Sequence, residues 1–409
     1  MKWLALFLVS LLFTMLALAC EQEEEKASFA TPTPSPTGEA LTPTVSQPSP
    51  TPESTTTPAA SRITYVGTDL DVWIMNADGS GLEKLFDIDA DPGTDTIDDL
   101  EWSPDGTRLA ITKLPKNRYA PEGVLFIIGA AGETLVEMPG VGFLTWSPDA
   151  DMFAVRRPTT AEGGSAILVL DLEGNAVVEP LSGVGPASFS ADEGRVTFFE
   201  LAGGVGLCGN LRGLLASLQT GDVGPIDPDE EPIDCGHPAI FSPINPSLLA
   251  YGDRLIDVDT GEARPLPGQP VHWSKDGQLL ETCDGGHVAV YDVDRAASVL
   301  EFDTTSAPQG PCWTALRGWT GWSPDSRLLG VLELNWKDPA APDVIHIRDV
   351  ATGEDKTVSV STAGARSLQF SPDGSYLLLE SSPAIWLVDS EGKSLTQIEG
   401  SAATWLPLP

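Results

Sequence analysis

Positive charge is scarce in this chain: 23 Lys and Arg face 59 Asp and Glu across 409 residues, a formal net charge of −36. A nucleic-acid partner needs a basic footprint, so that class is excluded. The same balance suits a solvated acidic surface, cations or a cationic partner. Histidine is rarer still, with only His237, His272, His287 and His346, scattered along the chain and better suited to structural roles than to a converging site. Cysteine occurs five times and never in C-x-x-C spacing, which leaves little room for a zinc site.

The one long apolar run comes first. Lys2 precedes an almost unbroken apolar stretch over residues 3–18, the layout of an export signal, and at about 17 residues it is marginal for a membrane span. It ends in Leu16-Ala17-Leu18-Ala19-Cys20, which resembles the lipobox of bacterial lipoproteins, with Ala17 where Leu is commonest. The resemblance implies that residues 1–19 are a lipoprotein signal peptide and that Cys20 carries the lipid. The protein is then expected outside the cytoplasm, anchored to the bacterial cell membrane. Residues 20–61 begin with Glu21, Glu23, Glu24 and Glu25 and continue as a Thr/Pro/Ser tract. That composition buries no core and favours an extended spacer, a disordered tether.

Residues 62–409 repeat one phrase: an aromatic residue, Ser, usually Pro, then Asp, often Gly. It stands as Trp102-Ser103-Pro104-Asp105-Gly106, Trp146-Ser147-Pro148-Asp149, Phe189-Ser190-Ala191-Asp192 and Phe241-Ser242-Pro243. It returns as Trp273-Ser274-Lys275-Asp276-Gly277, Trp322-Ser323-Pro324-Asp325 and Phe370-Ser371-Pro372-Asp373-Gly374, with a truncated Trp405-Leu406-Pro407 at the end. Copies lie about 32 to 52 residues apart, the range of propeller and solenoid repeats. Pro presets φ, Asp suits the next position and Gly takes the left-handed one, so each phrase is a tight turn closing a strand. Strands rich in β-branched and apolar residues follow, among them those in Val72–Gly79 and Ile385–Gly392, each closed by a Gly-containing turn.

The pattern predicts an all-β fold: a single β-propeller of four-stranded antiparallel blades. Third strands starting near residues 72, 124, 166, 213, 255, 287, 344 and 384 make eight blades, or seven if the short repeat at 241–268 is incomplete. Blade 1 lacks an innermost strand, and residues 401–405 have the pattern to supply it, closing the ring.

The W-S-P-D-G turn together with the strand Ile74-Met75-Asn76-Ala77-Asp78-Gly79 resembles the TolB-type, WD-like propeller repeat, over nearly all of 63–409. The resemblance implies the fold and leaves the function open, since such propellers serve as scaffolds, peptidase lids and lyases. The small α/β domain of TolB is missing, and no G-x-S-x-G elbow of a peptidase domain follows the last repeat.

Connections after first and third strands are uniformly tight. Those after second strands (113–122, 157–165, 201–213, 335–343) and fourth strands (87–99, 221–237, 303–318) are long and share the opposite face, where binding is expected. Four cysteines in an exported chain favour disulfides. The simplest of three connectivities is Cys208–Cys235 and Cys283–Cys312. Asp87, Asp89, Asp91 and Asp95 offer oxygens at alternate positions, as a calcium loop does, although Pro92 stands where Gly is required; a solvated acidic loop is the competing reading. Asp227, Asp229, Glu230, Glu231 and Asp234 form a second acidic loop. Trp313, Trp336 and Tyr119 are the candidate partner-contacting aromatics.

The expectation is a monomeric, lipid-anchored, non-catalytic scaffold without a required cofactor, binding a protein or glycan through its long-loop face. The alternative is a cell-envelope hydrolase or lyase working in the central channel.

Overall fold

In the computed structural model the described strands form eight antiparallel sheets; in seven of them the four blade strands follow one another in sequence order, and the eighth takes its innermost strand from the C-terminus. The structure describes residues 61–116, 123–159, 165–201, 210–228, 233–234, 239–304, 320–335, 342–360, 365–381, 384–393 and 395–408. All of them fall in one compact unit, Pro58–Pro409. The innermost strands of blades 1 to 8 are Ala403–Trp405, Asp95–Trp102, Gly142–Trp146, Val184–Phe189, Ala239–Phe241, Gln269–Trp273, Thr320–Trp322 and Ala365–Phe370. The chain is therefore an eight-bladed β-propeller. The short repeat near 241–268 is a complete four-stranded blade, which removes the seven-bladed alternative. Third strands begin within three residues of the expected positions, and blade 4 carries an extra pair, Ile233–Asp234, on its third strand.

Burial is deepest in the second and third strands of the blades and lower in the innermost and outermost ones. Second strands contain consecutive buried residues, such as Leu109–Ala110–Ile111, Phe153–Ala154–Val155 and Leu377–Leu378–Leu379, all 0% exposed. Successive side chains of a strand point to opposite faces, so such runs require a neighbour on both faces. Outermost strands alternate instead, as in Ala297–Asp303, with one residue in two turned to solvent.

The recurring phrase does two jobs. Its Ser side chain is buried and ties the turn: Ser103 Oγ donates to Asp105 Oδ1 at 2.6 Å and accepts from the Arg108 amide at 3.0 Å. The same two bonds recur at Ser190, Ser274, Ser323 and Ser371. The fifth residue adopts positive φ in six blades; it is Gly at 106, 277 and 374, but Ala150, Glu193 and Ser326 elsewhere. The aromatic residue binds the preceding blade. The indole N–H groups of Trp146, Trp273 and Trp405 donate to the carbonyls of Glu101, Ile240 and Gln369, each the residue just before the previous blade's aromatic. Trp102 donates to Thr64 Oγ1 instead, at 2.9 Å.

Ring closure follows the same rule. Ala403–Trp405 pairs with Arg62–Val66 in the register Ile63↔Trp405, Thr64↔Thr404 and Tyr65↔Ala403. Trp405 is 5% exposed and lies in one core cluster with Ile63, Tyr65 and Leu378, so it joins blades 1 and 8.

Two outcomes are expected. Trp405→Ala removes a large buried side chain and a blade-to-blade hydrogen bond, at a cost of about 3–5 kcal/mol, read from the urea midpoint; an unchanged midpoint contradicts the closure. The Asp325 carboxyl is held below its ordinary value of 3.8, first by the Ser323 hydroxyl. A depressed native value stabilises above the ordinary value and ceases to do so as pH falls through the native one. Asp325→Asn should therefore lower the melting temperature at pH 7, and the difference from wild type should shrink below pH 3.8.

Candidate functional site

Antiparallel order within each blade sorts the connections by end. First-to-second and third-to-fourth connections share one face, the turn face; second-to-third and blade-to-blade connections share the other. Tyr119, Trp313, Trp336, Cys208, Cys235, Cys312, His237 and Cys20 lie outside the described residues. Cys283 is described. It sits on the second strand of blade 6, 1% exposed and disulfide-bonded, with its partner outside the described residues.

The acidic loop between blades 1 and 2 turns its carboxylates onto its own backbone. Asp87 Oδ1 accepts from the Asp89 amide at 3.1 Å, Asp91 Oδ1 from Gly93 at 2.8 Å, and Asp95 Oδ2 from Asp91 at 3.0 Å. Lysines take the neighbouring oxygens: Lys84 lies 3.7 Å from Asp87, Lys113 donates to the Asp89 carbonyl, and Lys116 to that of Pro92. Among the described residues no group of three or more His, Cys, Asp or Glu is arranged to hold a metal. In the second acidic loop Asp227 pairs with Arg254 at 2.7 Å, and residues 229–232 lie outside the described set.

Two of the histidines are built into sheet surfaces. His346 bridges Glu333 at 3.1 Å and Asp355 at 2.8 Å, while Arg348 joins Asp355 and lies 3.6 Å over the Phe302 ring of blade 6. His287 pairs with Asp303 at 2.9 Å.

His272 is different. It is on the innermost strand of blade 6, just before Trp273, and faces a cluster that the sequence reading missed. Glu281, its cross-strand partner, is 0% exposed. Glu281 Oε2 accepts from Thr320 Oγ1 of blade 7 at 2.9 Å and lies 3.6 Å from His272 Nδ1; Oε1 has no hydrogen-bond partner. Thr320 Oγ1 also lies 3.0 Å from His272 Nδ1. A hydroxyl has one proton, and here it goes to the carboxylate, so Nδ1–H of His272 donates to Thr320 Oγ1. The residues at the position of Glu281 in the other blades are Thr64, Ala110, Ala154, Thr197, Ala250, Gly330 and Leu378, none of them charged. The available signal was an acid inside the otherwise buried strand Leu279–Asp284.

Asp99 is a second inner-ring acid, directly after a bulge in the innermost strand of blade 2 and opposite Thr112. Burial pushes its carboxyl up to about 6, against the pull of the Thr112 hydroxyl, with Asp98 adding to the rise and Arg156 opposing it. Blades 2 and 6 are four apart in a ring of eight, so Asp99 and Glu281 stand on opposite sides and form no carboxylate pair.

On the turn face a cavity of about 270 Å³ opens among the inner-strand ends of blades 2 to 5, with Pro104, Pro148, Ala191 and Pro243 at its four corners.

The chain matches no family model and no curated protein. Among solved structures it is similar to a eukaryotic initiation factor (16% identity over 86% of this chain and 99% of that one, TM-score 0.52). It is also similar to the dihydro-heme d1 dehydrogenase NirN (16% identity over 85% and 75%, TM-score 0.51). TolB from Acinetobacter baumannii also matches (15% identity over 77% and 82%, TM-score 0.40). At these identities the likeness is one of fold, and with the strand order it defines the chain as a β-propeller.

A raised carboxyl binds its proton more tightly in the native state, so its contribution to stability falls as pH rises from 3.8 through about 6. Asp99→Asn should stabilise the protein at neutral pH by on the order of 1–3 kcal/mol. It should also flatten the stability profile across that window. A melting temperature at pH 7 equal to or below that of wild type contradicts the assignment.

Proposed function

We propose that this protein is a lipid-anchored, extracytoplasmic β-propeller that binds a protein or glycan partner through its long-connection face and carries out no chemistry. The observation that carries the reading is the strand order: eight blades with the same topology send every long, variable connection to one end. The other end is built from near-identical Ser-Asp turns and short hairpins. Variable loops on a rigid frame are the usual seat of recognition. Cys20 supplies the anchor, residues 21–61 the spacer, and Trp313, Trp336 and Tyr119 the contact side chains.

A pull-down from detergent-solubilised native membranes tests this. The Trp313→Ala/Trp336→Ala double variant should lose a partner that wild type and Asp325→Asn, altered on the turn face, both retain. A partner kept by the double variant overturns the assignment of the face. Separately, Cys20→Ser should move the protein from the membrane fraction to the soluble one, and continued sedimentation with membranes contradicts the lipid anchor.

The second reading, a cell-envelope hydrolase or lyase acting in the central channel, has one observation in its favour: the buried Glu281–Thr320–His272 chain. Degradation of an envelope polysaccharide by wild type and not by His272→Gln would establish it. Equal products from both, or none, leave the binding reading in place.

A further inference from the structure

The turn-face cavity lies at the end of the molecule opposite the long connections, and the reading above does not use it. At about 270 Å³ it is below the range of about 300–1,000 Å³ typical of small-molecule sites. That size suits one or two inserted side chains. Its wall is apolar and hydroxylic: the Pro104, Pro148, Ala191 and Pro243 corners surround Thr145 and Ser188.

The rim has a definite sign. The residues that follow three of the four corners are Asp105, Asp149 and Asp192, all exposed. The residue following the fourth, Pro243, is Ile244, an apolar side chain 61% exposed. Glu193 of blade 4 reaches across to blade 3, where its Oε1 accepts from the Asp149 amide at 2.6 Å. Partial burial raises the proton affinity of Glu193, and Asp151 beside it raises it further. The rim cations are already engaged: Arg195 is held by Asp259 and the Pro246 carbonyl, and Arg108 by Thr107 beside Asp105. Arg108 also acts on Asp105 and Arg195 on Asp192, whereas the Glu193–Asp149 corner forms no ion pair among the described residues, and an incoming positive charge would meet it next to a cavity and an exposed aliphatic side chain.

We propose that this cavity and its rim bind a basic peptide segment, an aliphatic side chain entering between Pro148, Ala191 and Pro243 while an adjacent Lys or Arg pairs with the Glu193–Asp149 corner. The cavity belongs to blades 2 to 5, and the Pro324-Asp325 and Pro372-Asp373 corners of blades 7 and 8 line no part of it. In blade 6 the same corner carries Lys275, whose charge repels such a segment.

The test uses the mature chain and two fluorescein-labelled hexapeptides, alternating Lys-Leu and alternating Glu-Leu, followed by fluorescence anisotropy at physiological salt. The Lys-Leu peptide should bind and the Glu-Leu peptide should not. Glu193→Gln should weaken binding by about tenfold, whereas Asp294→Asn, the same charge change on the blade 6 hairpin of this face, should alter it by less than about twofold. Ala191→Trp, which fills the cavity, should abolish binding. Glu193→Gly keeps the fold by placing the residue best suited to φ +55° and should match Glu193→Gln. Equal losses at 193 and 294 would mean diffuse attraction to an acidic surface and overturn the site. So would undiminished binding by a folded Ala191→Trp protein, or no binding of the Lys-Leu peptide to wild type.

Discussion

Each blade is apolar on both faces, and that constraint governs the rest of the molecule. Leu109–Ala110–Ile111 or Leu377–Leu378–Leu379 buried in succession cannot be satisfied by one neighbour, because alternate side chains need opposite partners. A row of such blades always leaves two faces uncovered, and joining its ends is what removes them. The tryptophan-to-carbonyl bonds set the spacing of the ring, since each indole reaches the strand end of the blade before it. Trp322 departs from this series: its indole nitrogen is buried without a partner, at the seam of blades 6 and 7 where Glu281 is also buried. The seam that departs most from the repeat is thus the one holding a buried acid next to His272.

The architecture was legible in the sequence because its determinants are local. Ser103, Asp105 and Gly106 lie within one turn, so their spacing survives as a readable phrase and its copies count the blades. Even the closing strand was legible, since Trp405 is the same phrase cut short. The polar sites were not, because they are made between blades. Glu281 meets Thr320 at a separation of 39 residues and His272 meets Thr320 at 48, and no local pattern marks either pairing. At Asp87–Asp95 the alternate carboxylates accept from the loop's own amides, a pattern made within one segment and so visible in the spacing.

The turn face carries more information than its uniform sequence suggests. Most blades place Gly or another small residue at the left-handed position, and blade 4 places Glu193 there. A long acidic side chain in that conformation is unfavourable for the backbone, and its charge is unfavourable beside Asp151. The long-connection face differs from blade to blade by length, while the turn face differs by single substitutions such as Glu193, Ile244 and Lys275 in a fixed backbone. A repeat therefore offers two ways to build recognition, and the second leaves its mark only when the copies are compared position by position.

The closing strand also has a temporal consequence. A chain synthesised amino-terminus first exposes seven complete blades before Ala403–Trp405 emerges. Until then blade 1 has only Arg62–Val66 and the two strands outside it, and the faces of blades 1 and 8 stay open. Folding can therefore finish only after the last strand has emerged, and the interval is when apolar faces of neighbouring molecules are free to meet. A net charge of −36 keeps nascent copies apart during that interval, so the excess of acid described at the outset also protects assembly.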